Sequence, residues 1–182
     1  MSEMPANLAK VASFLNEIGL PARLVEEVQP GTFMPGIRID GGELEFTARC
    51  LVSDLLHEAG HLACVPPRFR SKMSGNLATG QRAMCEKLAL EDHEPDAPLV
   101  RAVLQCGDTE ATAWAWAAGT HLGLPEAQII QDQDYDGEGA GVRQALLLGA
   151  YLGINGLIAA GMCANPRRGG YPEMEKWLQD AR

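Results

Sequence analysis

Between Thr47 and Pro66 this chain has little choice but to form a helix. Leu51, Val52, Leu55, Leu56, Ala59, Leu62 and Ala63 recur at helical spacing, Thr47 is suited to the N-cap, and Pro66-Pro67 forbids continuation. A second, more polar stripe of the same helix carries Cys50, Asp54, His57, His61 and Cys64. Within it His57-Glu58-Ala59-Gly60-His61 writes HExxH. Two histidines four apart project from one helix face, so both imidazoles reach a single tetrahedral ion. The glutamate beside the first histidine is then placed to take a proton from a water on that ion. His57 and His61 are therefore expected as zinc ligands and Glu58 as general base.

A zinc site of the hydrolytic kind needs a third protein ligand and an open fourth position. Glu110 is the expected third ligand and Asp108 the runner-up. Both open an alanine-rich stretch running to Ala118, with Asp108 or Thr109 as cap and an end between Gly119 and Gly123. A carboxylate in the first turns of this second helix can face the HExxH helix while Trp114 and Ala117 pack inward. The competing reading of Glu110 is an acidic residue favoured by the positive end of the helix dipole. His121, eleven residues beyond Glu110, falls on nearly the same face if the helix persists that far.

HExxH followed on a later helix by Glu110-Ala111-Thr112-Ala113 resembles the gluzincin division of zinc metallopeptidases. The small size and a β-hairpin feeding into the HExxH helix are similar to minimal bacterial ImmA/IrrE-type peptidases. The resemblance covers roughly Ile37 to Gly123. It implies a zincin-like fold, zinc on His57, His61 and Glu110, and Glu58 as general base. Two features depart from the pattern. The 48 residues between His61 and Glu110 are more than the smallest members carry, and Trp114 stands where many gluzincins place an aspartate that supports a ligand histidine.

A formal charge of -9 argues against nucleic acid or an anionic membrane as a partner recognised by bulk charge, and Arg68, Arg70 and Lys72 are too few to reverse that. The expected partner is a peptide or protein substrate. Cys50, Cys64, Cys85, Cys106 and Cys163 are odd in number, scattered, and contain no CxxC pair. They read as reduced thiols of a cytoplasmic protein. Residues 1–20 carry acidic side chains within a helical pattern and do not form a signal peptide.

The rest of the chain predicts an α+β protein, predominantly helical, with a small antiparallel hairpin packed on the HExxH helix and a helical C-terminal part. One domain over 1–182 is expected, with subdomains 1–66 and 67–182 as a possible division. Helices are predicted over Pro5–Ile18, Pro21–Val28, Gln81–Leu90, Leu99–Gln105 and Tyr171–Ala181. Alternating residues on either side of Gly41-Gly42 predict the hairpin Gly36–Phe46. Its second arm or a neighbour is a candidate to hold an extended peptide, and the polar loop Ser71–Gly80 a candidate lid.

Two further segments suggest other chemistry. Asp132-Gln133-Asp134-Tyr135-Asp136-Gly137 matches the first half of a calcium loop, but the twelfth position is Arg143, so an acidic loop is the preferred reading. Residues 145–164 hold twenty nearly apolar residues, long enough to cross a bilayer. Their glycines and the mid-span Asn155 favour a buried helix over an anchor. The function expected is therefore zinc-dependent hydrolysis of peptide bonds. Non-catalytic metal binding and membrane anchoring through 145–164 are the alternatives. The oxyanion donor such a reaction needs is to be sought among His121, His93, Tyr135 and Arg143.

Overall fold

The computed structural model describes residues 4–28, 34–75 and 77–182. It is an α+β structure. Ten α-helical segments and one three-stranded sheet are present among those residues.

Helix α1 (Ala6–Glu17) buries Leu8, Val11, Ala12, Phe14 and Leu15. It stops at Gly19, whose φ of 87° lets Leu20 N–H return to the Leu15 carbonyl at 2.9 Å. The segment expected as a helix over Pro21–Val28 is instead a strand, β1 (Ala22–Leu24). The Asn16 side chain brackets Ala22, accepting from its N–H and donating to its carbonyl, and Leu44 N–H bonds the Pro21 carbonyl. Tertiary pairing outweighs the local helical preference.

β2 (Ile37–Asp40) and β3 (Glu43–Phe46) form the expected hairpin, turning at Gly41 and Gly42, both left-handed. The sheet is mixed, not purely antiparallel. Its order is β1-β3-β2, with β1 parallel and β2 antiparallel to the central β3. Ile37, Ile39, Leu44 and Phe46 face the core. On the other face Arg23, Glu45 and Arg38 lie in one row across the three strands, and the buried Glu45 carboxylate accepts from both guanidinium groups. The hydrogen bond from Arg38 holds that carboxyl below its ordinary range.

The HExxH helix is α2 (Val52–Cys64). Thr47 does not cap it. Its hydroxyl accepts from Arg49 N–H and its carbonyl from Cys50 N–H, so Thr47 turns the corner out of β3 and the helix starts five residues later. The far end stops as Pro66 requires. There the largely buried Arg70 donates to the carbonyls of Leu62, Val65 and Gln179, closing the last turn of α2.

Arg70 ends the short helix α3 (Pro67–Arg70); α4 (Leu77–Ala89) and α5 (Pro98–Leu104) follow. The segment expected as a lid is tied to the hairpin. Gly42 N–H bonds the Met73 carbonyl, Gly75 N–H the Ile39 carbonyl, and Gly41 N–H the Ser74 hydroxyl. Asn76, in the same segment, lies outside the described residues.

Helix α6 (Asp108–His121) runs along α2, and this pair is the centre of the molecule. Trp114 is wholly buried, donates to the Trp177 carbonyl, and packs with Phe14 and Trp177. The later elements are α7 (Glu126–Ile129), α8 (Asp134–Gly137), α9 (Gly139–Leu147) and α10 (Gly153–Ala159).

The apolar run 145–164 is not one helix. Gly149, at φ 63°, ends α9, and α10 begins at Gly153. No helix among the described residues is long and apolar enough to cross a membrane. Gly153 and Gly156 let α10 lie against the first turn of α6, at Thr109 and Glu110. The tail expected as a helix over Tyr171–Ala181 is irregular. Trp177 and Leu178 pack on the core, and Gln179 N–H bonds the Ala63 carbonyl.

Candidate metal centre

His57 and His61 stand one turn apart on α2, with ring planes nearly perpendicular and Nε2 atoms 3.1 Å apart. The third group that meets them is Asp108. As the first residue of α6, it places Oδ1 3.1 Å from His61 Nε2 and 3.7 Å from His57 Nε2. His61 is buried, His57 half-buried, and the Asp108 carboxylate 82% exposed, so the cluster opens to solvent on the Asp108 side.

These three electron-rich atoms repel one another unless a proton or a cation lies between them. The two histidine rings hold the Asp108 carboxyl far below the usual carboxylate range. Two ligand nitrogens about 2.05 Å from a tetrahedral ion lie about 3.3 Å apart, close to the spacing between the two imidazoles. The donor set of two imidazoles and one carboxylate suits zinc. Buried His61 Nδ1 has no hydrogen-bond partner among the described residues. A metal-bound imidazole ordinarily donates from its second nitrogen to a carboxylate or carbonyl, and no described residue takes that role for His61.

Glu110, expected as third ligand, is placed elsewhere. Its Oε2 accepts from Gly107 N–H at 3.2 Å and from the Thr109 hydroxyl at 3.0 Å, and the side chain lies against Gly156. It reaches back over the start of its own helix, the half of a capping box that a glycine N-cap permits. Asp108, two residues earlier and about 200° around the helix, points to α2.

The approach of the two helices is set by Gly60. A Cβ at that position would lie 2.5 Å from the Ala111 carbonyl oxygen, so α6 rests directly on the backbone of the motif. Sequence reasoning passes over this position, although a glycine inside a helix is the signal of a close backbone approach.

Glu58 is half-buried beside His57. Burial, with Asp54 and to a lesser extent Glu58 adding to it, pushes the Cys50 thiol up to about 12. Burial pushes the Asp54 carboxyl up to about 6, with Asp134 adding to the effect. Among the four residues considered as oxyanion donors, three are committed elsewhere. His121 packs against Phe14 and Trp177 at the far end of α6, His93 pairs with Glu91, and Arg143 donates to the Ile130 carbonyl and to Asp132. Tyr135 is the one beside the cluster. Its hydroxyl lies 2.6 Å from the hydroxyl of Thr112, one turn along α6 from Asp108.

The segment compared with a calcium loop has its carboxylates engaged. Asp132 pairs with Arg143, and Asp134 accepts from Gln131 N–H at 2.8 Å. Cys64 is buried, and burial drives its thiol well above the ordinary range. Neither Cys64 nor His121 joins the three-residue group formed among the described residues. No family model matches this chain, and no curated protein or solved structure does either.

Proposed function

We propose that this chain is a zinc-dependent hydrolase of peptide bonds in which His57, His61 and Asp108 hold the ion and Glu58 is the general base. The observation that carries the reading is the convergence of two Nε2 atoms and one carboxylate oxygen within 3.7 Å, on a face open to solvent. A bound zinc would lower the pKa of a water in its open position and polarise a carbonyl oxygen. His57 and His61 act from a rigid helix whose last turn Arg70 secures, so their separation is fixed before any ligand arrives. Asp108 supplies the negative charge that offsets the ion. Glu58, next to His57 and half-buried, is placed to accept a proton from the attacking water and return it to the leaving amine.

The test is zinc content of the purified protein, measured with peptide hydrolysis. Asp108→Asn and His61→Ala should lose most of the metal, Glu110→Gln should keep it, and Glu58→Gln should keep it while losing activity. Full zinc occupancy in Asp108→Asn, with loss in Glu110→Gln, would return the third ligand to Glu110. Wild-type protein that takes up no zinc would end the proposal.

A further inference from the structure

The segment that carries Tyr135 is built under constraint. Tyr135 and Asp136 both adopt left-handed backbone, with φ of 56° and 59°, a conformation that side-chain-bearing residues take up only when their surroundings impose it. The surroundings here are specific. Gln131 Nε2 donates to the Ser53 hydroxyl at the start of α2, Gln131 N–H donates to Asp134, and Arg143 fixes Ile130 and Asp132. The loop is thereby strapped between the two helices that carry His57, His61 and Asp108, and its strained residue sets a phenol on Thr112, one turn along α6 from Asp108.

Proton counting fixes the direction of the hydrogen bond that Tyr135 makes. The Thr112 hydroxyl has one proton, and it goes to the Asp108 carbonyl at 2.7 Å. Its 2.6 Å contact with Tyr135 must therefore be one in which Tyr135 O–H donates. Thr112 is wholly buried, whereas Tyr135 is 36% exposed, so the phenol proton rests on a neutral acceptor at the rim of an open site. Burial holds the phenol up to about 12, and it stays protonated across the physiological range.

Resting on the metal-hydrolase reading above, we propose that Tyr135 is a catalytic residue that transfers its hydrogen bond from Thr112 to the substrate carbonyl oxygen as that oxygen gains negative charge. An oxyanion is a stronger acceptor than a threonine hydroxyl, so the exchange is favourable only when the charge develops, which is when stabilisation accelerates the reaction. The strained backbone supplies the aim. Thr112 supplies a resting partner that keeps the phenol from burying itself elsewhere.

The experiment uses cobalt-loaded protein, followed by its visible spectrum, and acetohydroxamate as a small anionic probe of the metal and its surroundings. Tyr135→Phe should take up cobalt as wild type does and bind acetohydroxamate about tenfold more weakly. Thr112→Val removes the resting partner but keeps the donor, and should bind the probe as tightly as wild type or more so. If Tyr135 only pins its loop, Thr112→Val will weaken binding as Tyr135→Phe does, and the assignment fails. Tyr151 is a second phenol hydrogen-bonded to Thr112; equal affinity in wild type and Tyr135→Phe, with the loss found in Tyr151→Phe instead, overturns the assignment as well. A wild-type protein with no cobalt spectrum overturns the metal reading itself, and this inference with it.

Discussion

Gly60 lies against the Ala111 carbonyl, so α2 and α6 touch backbone to backbone within the HExxH motif, one residue before His61. The closeness of that crossing lets a carboxylate at the first residue of α6 reach two histidines on α2. Gly60→Ala should push the helices apart, destabilise the protein by about 1–3 kcal/mol and weaken metal binding. Urea unfolding followed by tryptophan fluorescence, together with zinc affinity, checks it; an unchanged midpoint with unchanged affinity would show that the contact does not set the spacing.

Glu110 and Asp108 should separate by experiment. Removing the Glu110 charge loses part of a helix cap, so Glu110→Gln should cost about 0.5–1 kcal/mol of stability and leave zinc in place. Thermal unfolding of the metal-free protein reads the first effect without interference from the second.

Asp54 gives a pH dependence of definite sign. Its folded pKa is raised to about 6 by burial, above the roughly 3.9 of an unfolded aspartate. Between those values the folded state binds the extra proton, so this residue lowers stability as pH rises from about 4 to 6. Asp54→Asn should therefore be more stable than wild type by up to about 2 kcal/mol at pH 7.5, with the gap closing by pH 4. Denaturant midpoints at the two pH values decide it.

Glu45 behaves in the opposite sense. Its folded pKa is depressed, Arg38 being the main cause, so it stabilises the sheet above the ordinary glutamate range and loses that effect as pH falls through the folded value. Glu45→Gln should cost about 1–2 kcal/mol at pH 7, with less difference near pH 3. A thermal-unfolding series over that range would show the two curves converging.

Much of this arrangement is readable in the amino-acid sequence. The helix from its apolar stripe, the hairpin from Gly41-Gly42, and the pairing of His57 with His61 all follow from local periodicity, which the fold has no reason to override. What escapes local reading depends on distant partners. Residues 22–24 become a strand because Asn16 and β3 offer them hydrogen bonds. Thr47 turns a corner because the Gly36 carbonyl takes its N–H. Asp108 and Glu110 lie two positions apart, and only the close crossing at Gly60 decides which of them faces α2. The glycines of 145–164, read as marks of helix packing, do pack against α6 at 153 and 156, but Gly149 also breaks the run in two.

The place of β3 in the middle of its sheet has a consequence for how any peptide could be gripped. Both of its hydrogen-bonding margins are occupied, by β1 on one side and β2 on the other. A ligand therefore cannot dock as an added rung of that strand. Strand addition to this sheet is confined to the outer margins of β1 and β2, so of the strands considered for holding an extended peptide the second arm of the hairpin is excluded and a neighbour is left.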